Sequence, residues 1–303
     1  MGWARSSAIA LLSLELACIE ARASAEGAPL EDIPPPTLPS LTHRDFTFDW
    51  TYAGAWISEN GSFAPKNPSD TGVGWFGHAA LEYPIVPRRW FFGAAEDFVS
   101  AHVPSAGTRV LYGNPEITVR GVWSNRAALA AGGGVGVVVP MPRDLDTAGR
   151  AVLNTVEIVR AWDSAYFSDS FLTFRPTLDF GLRFKPLLVQ LRQGLDVSYS
   201  LIDDHVDIIG RSDLFAALTF DPVAIGVEAF ETYSLKDELA DGTRAAVTIS
   251  PSVRVRLPRV SPGVSVQLPI LTPLGGEARS FVLVRLHLTF VLDRKAEEVD
   301  ATH

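Results

Sequence analysis

Between Leu172 and Phe184 apolar and polar residues alternate without a break. Leu172, Phe174, Pro176, Leu178, Phe180, Leu182 and Phe184 fall on one parity, and Thr173, Arg175, Thr177, Asp179, Gly181 and Arg183 on the other. A period of two is the signature of a strand, whose successive side chains point to opposite faces. These 13 residues exceed the typical globular strand of about 5–6 residues. A strand that crosses a bilayer at a tilt needs about 9–11. One face of this segment is wholly apolar, so it must meet either a packed core or lipid.

The pattern recurs along the chain. Leu187, Val189, Leu191, Leu195, Val197, Tyr199 and Leu201 form an apolar face interrupted by Gln193, with Leu188 the exception on the polar side. Segments 247–257, 282–290 and 46–52 alternate in the same way, and weaker alternation marks 73–83, 89–101, 113–123, 127–139, 211–220, 223–235 and 263–270. The connections give a second signal. Lys185-Pro186, Asp221-Pro222 and Ser124–Arg126 are short turns, and 84–88 and 258–262 are moderately short and marked by proline. Segments 57–72, 102–112, 140–170, 202–210, 236–243 and 271–279 are longer and more polar. Short and long connections alternate when 140–170 counts as one loop, as in barrels with short periplasmic turns and longer outer loops. Within that loop Leu153, Val156, Val159 and Trp162 recur every three residues, which predicts a short helix over 150–163.

Composition narrows the environment. The 303 residues are 47% hydrophobic and 20% charged, and mean hydropathy is slightly positive. No stretch after the first 25 residues is long and apolar enough for a membrane helix. High hydropathy without a long apolar run is what amphipathic membrane strands produce. Residues 1–25 read as a signal peptide, with Arg5, the apolar AIALLSLELACI and a small-residue site at Ala23 and Ala25. Cys18 is the single cysteine and lies in this leader, so the mature chain is expected to hold no disulfide and no thiolate site. A lipid-attachment signal at Cys18 would want an aliphatic residue where Glu15 stands. Residues 26–43 form a proline-rich linker on the periplasmic side, 44–290 the barrel, and 291–303 a polar tail. The formal net charge of −9 argues against nucleic acid as a partner.

These features predict an all-β, transmembrane, antiparallel up-and-down β-barrel of about 12 strands, with one short helix in an outer loop. The location expected is the outer membrane of a Gram-negative bacterium, both termini in the periplasm. A soluble β-sandwich also alternates, but its strands are usually shorter and its apolar faces pack on each other. The final strand FVLVRLHLTF ends on Phe290 and looks like the terminal signal read by the barrel-assembly machinery. The segments YGNPEITVRGVWS, GGGVGVVVPMPRD and TISPSVRVRL, followed by VSPGVSVQLPI and this ending, cover roughly 110–290. They resemble an outer-membrane β-barrel family of transporters labelled for the MetA-pathway of phenol degradation. Asn114 stands where that pattern has an acid, and Met141-Pro142 where it has threonine-glycine. The resemblance implies uptake of small, often hydrophobic compounds.

If the apolar faces meet lipid, the polar faces line a lumen. They carry Arg120, Arg175, Arg183, Arg192, Arg254, Arg256 and Arg285, with Asp49, Glu82, Glu116, Asp179, Asp196 and Glu228. Such residues either pair across the interior as a structural network or line a selective pathway for a small solute. The mixed, slightly basic set favours anionic or polar-aromatic solutes. The loop run Asp203, Asp204, His205 and Asp207 offers oxygen ligands for a divalent cation, though solvated acidic loops are the commoner outcome. A membrane-embedded hydrolase would need a serine within reach of a histidine. His287 is the late-strand candidate and His78 points inward beside Glu82, but no serine motif stands out. No catalytic residue, metal site or cofactor is expected, and the outer loops are of moderate length, which gives an adhesive surface barrel little support.

Overall fold

The structure, a computed structural model, describes residues 46–58, 71–86, 89–103, 107–124, 129–143, 145–146, 149–150, 153, 165–220, 222–235, 245–255, 257, 260–271 and 280–292. The expected signal peptide, linker and polar tail lie outside these residues. Thirteen strands run through the described chain: β1 (Phe46–Ser58), β2 (Thr71–Val86), β3 (Trp90–Val103), β4 (Gly107–Tyr112), β5 (Glu116–Ser124), β6 (Leu129–Val138), β7 (Phe171–Phe184), β8 (Leu187–Ser200), β9 (Val206–Phe220), β10 (Val223–Ser234), β11 (Ala245–Val255), β12 (Val260–Leu271) and β13 (Ser280–Leu292). All their pairings are antiparallel.

The ladders run from each strand to its neighbour in sequence, and β1 pairs with both β2 and β13. The circuit of pairings therefore returns to its start. The neighbour-to-neighbour order departs at β3, whose outer half pairs with β4 and whose inner half pairs with β5. β4 and β5 are thus one strand position, interrupted at Gly113, Asn114 and Pro115, and twelve positions result. A ring of this kind leaves no long edge unpaired.

Side-chain exposure confirms which face is which. On β7, Phe174, Leu178 and Phe180 are exposed, while Thr173, Arg175 and Asp179 are buried. The molecule is inverted relative to a water-soluble protein, with apolar residues outside and polar residues inside. Exposed aromatics gather towards both rims. Tyr83, Trp90, Trp123 and Phe220 lie near the short turns, and Trp75, Tyr112 and Tyr199 near the long loops. Aromatic rings favour the interfaces of a bilayer, so two such belts mark its edges.

Three details differ from the sequence reading. Residues 102–112 are not a loop, because β3 runs on to Val103 and turns into β4. Likewise β9 starts at Val206, which shortens the expected loop 202–210 to Leu201–His205. In both places apolar residues on the inward face hide the alternation, Leu111 on β4 and Ile209, opposite the buried Asp196, on β9. The last strand continues past Phe290, and Leu292 stands opposite Phe46. Of the expected helix over 150–163, Arg150 and Leu153 are helical, as is Gly149 before it, and the remainder lies outside the described residues.

Candidate functional site: the inner wall

The inner face divides by chemistry. Towards the short turns it carries apolar clusters: Phe91, Val122 and Ala130 on β3, β5 and β6, and Leu188, Phe215 and Ala217 on β8 and β9. Leu188, the exception on a polar face, is explained by this packing. At mid-height the wall becomes polar and charged.

From β5 to β9 the charges are joined carboxylate to guanidinium. Arg175 on β7 donates from Nη1 to Glu116 Oε2 at 3.2 Å and from Nε to Asp196 Oδ1 at 3.0 Å. Arg211 Nε lies 2.8 Å from the same Asp196 oxygen. Arg192 reaches Asp179 at 2.7 and 3.3 Å, and Asp179 and Asp213 stand opposite Arg192 on either side. On β2 and β5, Arg120 grips Glu82 through two bonds of 2.8 and 2.7 Å and lies over the Phe91 ring. Arg175, Asp179 and Asp196 are each at most 3% exposed. Buried charges persist only when paired and hydrogen-bonded, which this network provides.

From β10 to β13 neutral oxygens also serve the cations. Arg254 donates to Thr289 Oγ1 and to the Ser261 carbonyl, and Arg285 to Gln267 Oε1 while stacking over Phe230. Ser250, Ser252, Thr248 and Thr232 continue the inward faces of β10 and β11, with Glu228 as the carboxylate there. Ser265 and His287 share a 2.9 Å hydrogen bond. They are 1% and 2% exposed, inside the wall and away from the lipid face, so this serine–histidine pair has no access to a lipid substrate.

The long connection between β6 and β7 returns into the barrel. Ala165 and Tyr166 form one 3-10 turn, and Ala165, Tyr166 and Phe167 are buried. Asn114, at the break between β4 and β5, holds this turn from below. Its Nδ2 donates to the carbonyls of Ala165 at 3.1 Å and Ser168 at 2.8 Å, and its own N–H to the Tyr166 carbonyl at 2.5 Å. Arg143 donates to Asn114 Oδ1 and to the carbonyls of Phe167 and Tyr166. Burial lowers the Arg143 pKa from its ordinary value, with Asp169 opposing that shift. The Tyr166 hydroxyl donates to Glu116, its ring lies 4.7 Å from the Arg175 guanidinium, and the His78 ring is 6.2 Å from it. His78 in turn bonds Asp97 at 3.0 Å. The loop turn is therefore wired into the charged wall.

Of the expected lumen residues, Glu82, Glu116, Arg120, Arg175, Asp179, Arg192 and Asp196 meet in the paired network, and Glu228, Arg254 and Arg285 line the other wall. Arg183 sits near the short turn, half-buried. Asp49 lies in β1, and Arg256 falls outside the described residues. The sequence reading missed Arg211, Asp213, Asp97, Asn114, Arg143 and Tyr166. Arg211 and Asp213 share the inward face of β9 with Phe215 and Ala217, which blurs the alternation. Among the described residues no three His, Cys, Asp or Glu side chains are placed to share a metal ion. In the 203–207 run, His205 pairs with Asp207 at 2.7 Å, and the Ser200 hydroxyl foremost pulls the Asp203 carboxyl below its ordinary pKa.

No family model matches the chain and no curated protein matches it, so the family label above rests on strand patterns alone. Solved structures do match. The COG4313 outer membrane channel from Pseudomonas putida F1 superposes with a TM-score of 0.59 at 12% identity, over 86% of this chain and 100% of that one. The NanC porin gives 0.53 at 11% identity, over 80% and 100%. This chain, antiparallel with twelve strand positions, has the fold of an outer-membrane β-barrel.

Proposed function

We propose that the protein is a passive outer-membrane channel of narrow bore for small solutes, and that it is not an enzyme. The observation that carries this reading is the inward turn at Ala165–Ser168, held among polar lumen residues by Asn114, Arg143, Glu116 and Arg175. A barrel that only presented loops would have no use for a turn fixed inside its lumen. The names of the two structural neighbours, a channel and a porin, support the same function. The long-loop rim faces outward and both termini face the periplasm, with outer-membrane lipid around the wall and the barrel-assembly machinery acting on the β13 end. Uptake of small compounds, the role attached to the phenol-degradation family, fits this reading.

Arg254 and Arg285 lie among hydroxyls and an amide. Cations on a pathway favour anionic over cationic solutes. In liposomes under a salt gradient, the reversal potential should show a preference for anions, and Arg254→Glu should reduce it. Equal permeability in both proteins would sink the anion preference while leaving the channel itself intact.

A second reading, a plugged structural barrel, is favoured by one specific observation. Asp97, Thr173, Asp179, Glu228, Ser250 and Gln267 are 0% exposed, so the interior is densely filled at those points. Absence of solute flux through the reconstituted protein would select it.

A further inference from the structure

The outward face of β8, β9 and β10 breaks the apolar rule at one level. Gln193, Ser212 and Glu231 stand side by side there, Gln193 opposite Ser212 and Ser212 opposite Glu231. They lie within the apolar band. On β8, Leu191 and Leu195 flank Gln193; on β9, Ile208 lies above Ser212 and Leu214 below; on β10, Tyr233 and Ala229 flank Glu231. Gln193 Nε2 donates to Ser212 Oγ at 2.6 Å. That leaves an amide carbonyl, a second amide N–H, the hydroxyl proton and both Glu231 oxygens turned towards hydrocarbon. Polar groups facing lipid are costly, and intramembrane ionisable residues mark sites with partners.

We infer that this stripe is the contact between two copies of the chain in the membrane. Its polarity is self-complementary, with an amide donor at one end, a hydroxyl in the middle and a carboxyl acceptor at the other. A two-fold axis beside Ser212 sets Gln193 of each copy against Glu231 of the other, so that one contact is made twice. Ala229 on β10, next to Glu231 on the same face, keeps the surface low beside the stripe, as small residues do in membrane interfaces. The contact removes both carboxyls from lipid. It concerns the outer wall and stands apart from whether the lumen conducts.

A cysteine cross-link tests it, because Cys18 is the single cysteine of the chain. On a Cys18→Ser background, Ser212→Cys should form a covalent dimer when isolated outer membranes are treated with a short bis-maleimide, since an axis beside it sets the two thiols across the spacing of about 10 Å between packed sheets. Val264→Cys, exposed on β12, should not. In detergent the molar mass of the wild type should be that of a dimer. Gln193→Leu with Glu231→Leu should shift it to a monomer that still unfolds only on heating. The cross-link uses a mild substitution, so it reads the contact even if the double variant fails to assemble. A monomeric wild type without a Ser212→Cys dimer, a dimer that survives the double substitution, or a cross-link to a different protein would overturn the inference.

Discussion

Two stretches of the same inner wall solve the burial of polar groups differently. From β5 to β9 each arginine at mid-height meets a carboxylate, and one guanidinium, Arg175, serves Glu116 and Asp196 together. From β10 to β13 the inward residues are mainly serine, threonine and glutamine, and Arg254 and Arg285 donate to such neutral oxygens. A paired carboxylate fixes geometry and loses heavily when broken. A hydroxyl can turn, and gives or accepts one bond at little cost. The paired wall therefore carries the inward loop turn and holds the shape. The hydroxyl wall is as closely filled, with Ser250 and Gln267 0% exposed, but its groups are free to reorient.

The largest expected effect follows from breaking the paired wall at its centre. Arg175→Ala leaves Glu116 and Asp196 buried without their shared cation and should destabilise the barrel by about 3–5 kcal/mol. Ser265→Ala, on the other wall, loses one hydrogen bond to His287 and should cost clearly less. Urea unfolding in detergent micelles, followed by tryptophan emission, measures both. Equal losses would erase the distinction between the walls.

Next in size comes the contrast between faces on β7. Leu178 is 57% exposed on the outer surface, whereas Asp179 is 0% exposed and bonded to Arg192. Leu178→Arg places a charge in lipid and should cost about 2–4 kcal/mol near the midplane. Asp179→Asn keeps an acceptor for Arg192, which still has Asp213 opposite it, and should cost less, about 1.5–3 kcal/mol, the scale of a hydrogen bond to a charged group. Unfolding in liposomes gives the order, and a reversed order would mean that the outward face has been misassigned.

The smallest effect belongs to the hydroxyl wall. Ser250 Oγ is buried without a hydrogen-bond partner among the described residues. Ser250→Ala removes no bond and should change stability by less than about 1 kcal/mol. A larger loss in the same unfolding experiment would reveal a structural bond at that hydroxyl and weaken the idea of an adaptable wall.

The sequence made the fold legible where one parity was wholly apolar. β7 and β8 could be read residue by residue, including the inward placement of Arg175, Asp179, Arg192 and Asp196. It was less legible where the interior itself turns apolar. Phe91 and Val99 share the inward face of β3 with Asp97, and Phe215 and Ala217 share that of β9 with Arg211 and Asp213, so period-two counting lost those charges. Asn114 showed only as a departure from a family pattern. Its role depends on a strand break and on a loop more than fifty residues away in sequence, reached at |i−j| values of 51 and 54, and no local pattern encodes such a contact. Tyr166 was hidden for the same reason.

The central claim is a solute pathway restricted by the loop turn between β6 and β7. Single-channel conductance in planar bilayers tests it most directly, comparing the full protein with one lacking residues 143–168. That deletion removes Arg143 and Tyr166, which tie the turn to Asn114, Glu116 and Arg175. The account predicts small, discrete conductance steps for the intact protein and larger steps after the deletion. No conductance from either protein, with both still folded and inserted, would contradict it.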